Sequence, residues 1–134
     1  MRLANDANCF ALSEAIDGAG RDADIVFGVI LGTGVGGGIV HGRRLLSGPN
    51  AIAGEWGHIP LPDPRKDEWP GYNCYCGRKG CIETFLSGPG MAGDHHRATG
   101  EDLAPEAIAD RASAGDPRAR ATLDRLDREG PGAK

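Results

Sequence analysis

The stretch Ile25-Val26-Phe27-Gly28-Val29-Ile30-Leu31, followed at once by Gly32-Thr33-Gly34-Val35-Gly36-Gly37-Gly38 and Ile39-Val40-His41, decides the fold class. Its first seven residues are apolar and rich in β-branching, which reads as a buried strand. The glycines predict a turn over 32–38, and Ile39-Val40-His41 begins a second strand that returns antiparallel to the first. Helices are expected on both sides. Asn5-Asp6 offers capping side chains for a helix over about 7–17, with Phe10, Leu12 and Ile16 available for its buried face. Downstream, Ile82–Leu86, Met91–Ala98, Pro105–Ala114 and Pro117–Arg128 read as helices, with proline in a first turn and Asp116 as a cap. Between hairpin and helices, 43–62 reads as loop and short strand, and 63–80 shows neither the helical nor the strand period. A strand hairpin among helices makes an α/β chain, and helices with unmatched apolar faces suggest a sheet lacking some of its strands.

The 134 residues suffice for one domain or a piece of a larger one. Fifteen Lys plus Arg against 19 Asp plus Glu give a net charge of −4, and no basic run breaks the pattern, so nucleic acid is not expected as a partner. There is no apolar run of about 18 residues to cross a membrane. The first residues, MRLANDANCF, lack the pattern of a secretion signal, so a cytoplasmic location is expected. The 22 glycines follow no three-residue period, which excludes collagen, and they cluster at 28–42 and 71–90. In a reducing compartment the four cysteines are poor material for disulfides, and Cys9 reads as a small core residue.

Three features carry chemistry. The run Gly32–Gly38 fits G-x-G-x-x-G, but strand rather than helix follows it and no P-loop lysine is present, so both common nucleotide readings fail on context. What remains is either an ordinary tight turn or a concave set of backbone N–H groups and the Thr33 hydroxyl suited to phosphate oxygens. Cys74-x-Cys76-x4-Cys81 places three thiols around a short glycine-bearing loop, as a zinc site needs. His58 is the nearest fourth ligand, because His41 lies by the turn and His95 and His96 fall in a helix expected to be exposed. Three Cys and one His leave no open position, so such a site is structural; the alternative is buried free thiols. Asp6 stands at a helix start as a cap or as a general base. Glu55 and Glu83 adjoin the expected ligand segments and could accept sugar hydroxyls, or be solvated surface acids.

Asn5-Asp6-Ala7-Asn8, Leu31–Gly38, Gly54-Glu55-Trp56-Gly57-His58 and Cys74–Glu83, in that order, resemble the ROK family of repressors, open reading frames and sugar kinases. The wording of 5–15 and 74–90 looks most like the family's bacterial fructokinases, with N-acetylglucosamine kinases next. The resemblance implies an actin-like, ribonuclease-H-like α/β fold in two lobes with ATP and sugar in the cleft. It implies Asp6 as catalytic base, Asn5, Asp6, Glu55, His58 and Glu83 as sugar-binding, Gly32, Thr33 and Gly34 as ATP-binding, and His58, Cys74, Cys76 and Cys81 as zinc ligands. Structural Zn²⁺, Mg²⁺ with ATP, and a homodimeric parent enzyme go with it. The family's first phosphate loop, Asp-x-Gly-x-Thr, and its glycine-rich adenosine segment have no counterpart in these residues. The expected layout is therefore a kinase truncated at both ends: 1–22 as the end of the N-terminal lobe, 23–128 as a partial C-terminal lobe with a zinc loop at 58–81, and 129–134 as a frayed tail. The leading function is ATP-dependent phosphorylation of a hexose, fructose first, with N-acetylglucosamine or glucose as alternatives. A sugar-responsive repressor fragment and a zinc-held fragment without catalysis are the readings from other classes.

Overall fold

The structure, a computed structural model, describes residues 5–129. They form two compact units, one from residues 5–30 and 35–57 and the other from residues 31–34 and 58–129.

The first unit lays helix α1 (Asp6–Ile16) against a sheet of order β1-β2-β3, with β1 at Ile25–Leu31, β2 at Val35–His41 and β3 at Arg44–Leu45. Three residues join β1 to β2, a link that allows only antiparallel neighbours. β2 pairs antiparallel with β3 in the register Val40↔Leu45 and His41↔Arg44. Gly42 and Arg43, at φ 54° and 61°, make the tight turn between them. The glycine run is thus mostly strand, and the turn expected over 32–38 contracts to 32–34.

The reason lies in α1. Asn5 caps it, its Oδ1 accepting from the Asn8 N–H at 2.8 Å. The buried face is Ala7, Asn8, Ala11 and Ala15, whereas Phe10 and Ile16 are 40% and 49% exposed and Leu12 is only partly buried. This corrects the large-residue face expected from sequence. A Cβ on Gly28 would come within 2.7 Å of the Ala11 Cβ, and one on Gly38 within 2.9 Å of the Ala7 carbonyl oxygen. Backbone meets backbone there, so small residues are needed on both sides. Cys9 is exposed rather than in the core, because alanines take the packing positions. β1 is also less buried than its composition suggests: Val26 packs toward α1 with Val40 and Leu45, but Ile25 and Phe27 alternate onto the other face and stay exposed.

The second unit contains α2 (Glu83–Leu86), α3 (Gly88–Thr99), α4 (Pro105–Ser113) and α5 (Pro117–Glu129). Helix α3 starts earlier than Met91 because the Ser87 hydroxyl accepts from the Gly90 N–H at 3.1 Å, with proline in the first turn. It stops at Gly100, where φ is 77°. Asp116 caps α5, accepting from the N–H groups of Arg118 and Ala119 at 2.9 and 3.4 Å. Met91, Ile108, Ala112 and Ala119 form the core between α3, α4 and α5, with Leu103, Leu123 and Leu126 packed on it. His95, expected on an exposed helix, is fully buried there with Nδ1 3.0 Å from Thr122 Oγ1; α5 covers the face that carries it. Only His96 of that pair is exposed. Glu129 closes α5, and 130–134, the rest of the expected frayed tail, lie outside the described residues.

Candidate functional site

Residues 58–82 have little regular structure, and two short backbone pairings shape them. Ile82 N–H donates to Ile59 O at 3.0 Å and Leu61 N–H to Gly80 O at 2.8 Å, which sets His58 beside Cys81. Within the loop, Cys74 N–H donates to Arg78 O at 2.8 Å and Gly77 N–H to Cys74 O at 3.0 Å. Gly77 and Gly80, at φ 87° and 68°, supply the left-handed turns that bring the chain back.

The turns converge four ligand atoms. His58, Cys74, Cys76 and Cys81 each offer one, and all lie within 4.8 Å of one another. The Cys76 and Cys81 sulfurs are 3.6 Å apart, and Cys74 Sγ is 3.4 Å from His58 Nδ1. A tetrahedral zinc with Zn–S near 2.3 Å spaces its sulfurs by about 3.8 Å, so the donor set and its spacing fit that ion. The backbone N–H of Arg78 draws the Cys76 thiol down to about 6, with further bonds from Cys74 and Cys81, while burial pushes Cys81 up to about 12.

His58 uses both ring nitrogens. With Nδ1 toward Cys74, its Nε2 lies 2.8 Å from the Tyr75 hydroxyl, and the two rings meet edge-to-face at 4.9 Å between centroids. Tyr75 carries no sequence signal beyond its middle place in Cys74-Tyr75-Cys76.

The other expected site residues fall into two sets. In the first unit Asn5 Nδ2 donates to Glu55 Oε1 at 3.0 Å, and Asp6, exposed in the first turn of α1, accepts from the Ala7 N–H at 2.9 Å. Gly54, at φ 90°, brings the Glu55 loop against Gly37 and Gly38, where a Cβ would sit 3.0 Å from Gly38 Cα. Trp56 anchors the same loop, its Nε1–H donating to Gly36 O at 3.0 Å.

In the second unit Glu83 heads α2, and its carboxylate rests on the glycine turn: a Cβ on Gly34 would come within 2.8 Å of Glu83 Oε2. The turn is tied down by Gly88 N–H to Gly32 O at 2.7 Å and closes on itself through Gly32 N–H to Gly34 O at 2.9 Å. That second bond occupies one of the N–H groups expected to face a ligand. Thr33 and Glu83 line a cavity of about 440 Å³ together with Tyr72, Tyr75, Ser87 and Arg97, among others. The Arg97 guanidinium stacks 3.7 Å from the Tyr72 ring centroid. A second cavity of about 590 Å³ reaches Thr33 from the side of Gly32, Gly88, Met91 and Leu126. Among the described residues no helix is long and apolar enough to cross a membrane.

A sequence profile described as the ROK family matches residues 1–129. An N-acetyl-D-glucosamine kinase of Pectobacterium carotovorum is 43% identical over 130 residues, which are 94% of this chain and 43% of that protein. The crystal structure of a ROK family glucokinase from Streptomyces griseus, in complex with glucose and AMPPNP, superposes with a TM-score of 0.79 at 34% identity over 95% of this chain and 44% of that one. A ROK family transcriptional regulator homologous to the E. coli MLC protein gives 0.77 at 33% identity, over 94% of this chain and 33% of that one. The chain thus spans less than half the length of these relatives.

Proposed function

The chain belongs to the ROK family and has part of its actin-like α/β fold, and from that premise we propose that it carries the sugar-contacting and phosphate-contacting segments of an ATP-dependent hexose kinase. Phosphoryl transfer asks a protein mainly to position a hydroxyl and the terminal phosphate and to accept the hydroxyl proton. The observation that carries the reading is the nearness of the Glu83 carboxylate to the turn, where a Cβ on Gly34 would come within 2.8 Å of Glu83 Oε2: an acid suited to a sugar hydroxyl lies beside the turn suited to phosphate oxygens.

In this reading Asp6 takes the proton, Asn5, Glu55, His58 and Glu83 hold the sugar, and Gly32, Thr33 and Gly34 meet the phosphates of Mg²⁺-bound ATP. His58, Cys74, Cys76 and Cys81 would hold zinc, which would supply no reactive step. Its role would be to fix the loop that carries His58 and leads into Glu83. The sequence wording ranks fructose first, but the relatives compared bear the names of N-acetylglucosamine and glucose kinases. We therefore order the substrates N-acetylglucosamine, glucose, fructose.

The likeness to a transcriptional regulator supports a second reading, a sugar sensor without catalysis. Asp6 separates the two. The test is a chimera in which residues 1–129 replace the matching segment of the Pectobacterium relative, assayed for sugar-dependent ADP release. The kinase reading expects turnover that falls roughly 10²–10⁴-fold in Asp6→Asn with the sugar still bound. Sugar binding without ADP release in the parent chimera would favour the sensor, and turnover unaffected by Asp6→Asn would reduce Asp6 to a first-turn helix residue.

A further inference from the structure

Tyr75 is 83% exposed, so its ring contributes little by burial, yet its hydroxyl sits 2.8 Å from His58 Nε2. His58 turns Nδ1 toward Cys74 Sγ at 3.4 Å. When Nδ1 ligates a metal, the neutral ring keeps its proton on Nε2, which makes that nitrogen a donor and the phenol oxygen its acceptor. The cavity of about 440 Å³ that Glu83 and Thr33 line also has Tyr75 on its wall, while His58 is absent from that wall. Tyr75 thus both lines the cavity and meets the Nε2 of His58, which is not among the lining residues.

We propose that Tyr75 is a gate on His58: its hydroxyl accepts the Nε2–H, and a sugar hydroxyl that reaches from Glu83 to His58 must displace it. The inference rests on the sugar reading above and deepens it. A sugar hydroxyl is, like the phenol, a neutral acceptor, so it replaces one hydrogen bond by another of the same kind. What opposes binding is the bond between Tyr75 and His58. Removing the phenol oxygen while keeping the ring should then tighten sugar binding about 2- to 10-fold, the range set by one ordinary hydrogen bond.

The experiment uses the zinc-loaded 134-residue chain and its Tyr75→Phe variant, with ¹⁵N-labelled histidine. Zinc content is measured in both, and both are titrated with N-acetylglucosamine, glucose and fructose. The gate predicts equal zinc content and a His58 Nε2–H signal protected from exchange in the parent chain. It predicts loss of that protection in the sugar-free variant, a shifted but still protected Nε2–H signal when sugar takes the place of the phenol, and the smaller Kd in the variant. A variant that binds sugar equally or more weakly overturns the gate and leaves the sugar site standing, as does sugar binding that leaves the parent's Nε2–H signal unchanged. If none of the three sugars binds either zinc-loaded protein, the sugar reading falls and the gate with it.

Discussion

The loop at 58–82 and the helices α3–α5 belong to one compact unit, but they are held by different means. The helices close on an apolar core in which Ile108 and Ala119 are fully buried. The loop buries Leu61, Cys74, Cys81 and Ile82 together with the Glu68 carboxylate, which accepts from the Arg65 N–H and Nε–H at 2.7 Å, and otherwise presents glycines, exposed charges and turns. Its convergent feature is the set of four ligand atoms within 4.8 Å. One region closes by removing apolar surface from water, and the other converges on a donor set that a cation would complete. The difference bears on the proposed sugar site, because the loop carries His58 and leads directly into Glu83. A site built on a loop without much core needs a rigid staple.

The comparison can be broken most severely at the metal ligands. Cys76→Ser, or a chelator, should abolish metal binding and remove amide-exchange protection throughout 58–82 while α4 and α5 keep theirs, because a loop of this composition does not order itself unaided. Exchange measured by mass spectrometry decides it, and uniform loss over both regions would show a shared core instead. The next largest effect is the reverse experiment. Ile108→Ala should cost about 2–5 kcal/mol in denaturant unfolding of the helices, with zinc content unchanged in the protein that remains folded. Loss of zinc in that variant would merge the two regions into one cooperative element.

A smaller effect is expected in the first unit, where packing is neither apolar bulk nor metal. Gly28→Ala puts a methyl 2.7 Å from Ala11 Cβ and should cost about 1–3 kcal/mol by overpacking, read as a lowered unfolding midpoint. The smallest concerns the start of α5. The N–H groups of Arg118 and Ala119 hold the Asp116 carboxyl below the usual carboxylate range. Its contribution is present above the unfolded value of about 3.9 and is lost as pH falls through the lower folded value. Asp116→Asn should lower the Tm slightly at pH 7, and the gap between variant and parent should shrink in acid. A gap that widened in acid would contradict the cap.

What could be read in advance follows the range of the forces involved. The convergence of His58, Cys74, Cys76 and Cys81 is legible because thiol spacing in a polar loop is local chemistry, and the starts of α4 and α5 because Pro105, Asp116 and Pro117 act on their own backbone. The buried face of α1 was not. Its alanines are selected by Gly28 and Gly38 across the interface, and only the folded chain brings these together, so Phe10 and Ile16 looked like the better core. His95 was missed for the same reason: nothing near it in sequence announces that Thr122 will sit 3.0 Å from its Nδ1. The roles of Asn5, Asp6 and Glu55 rest on resemblance to the family, and the Asn5–Glu55 hydrogen bond is the contact among them that the fold adds.

The central claim, that 58–82 is held by a cation and so presents His58 and Glu83 in fixed positions, is tested most directly by metal analysis of the purified, folded chain. The account predicts one zinc per chain, and a folded chain carrying less than about a tenth of an equivalent, with 58–82 still protected from exchange, would contradict it.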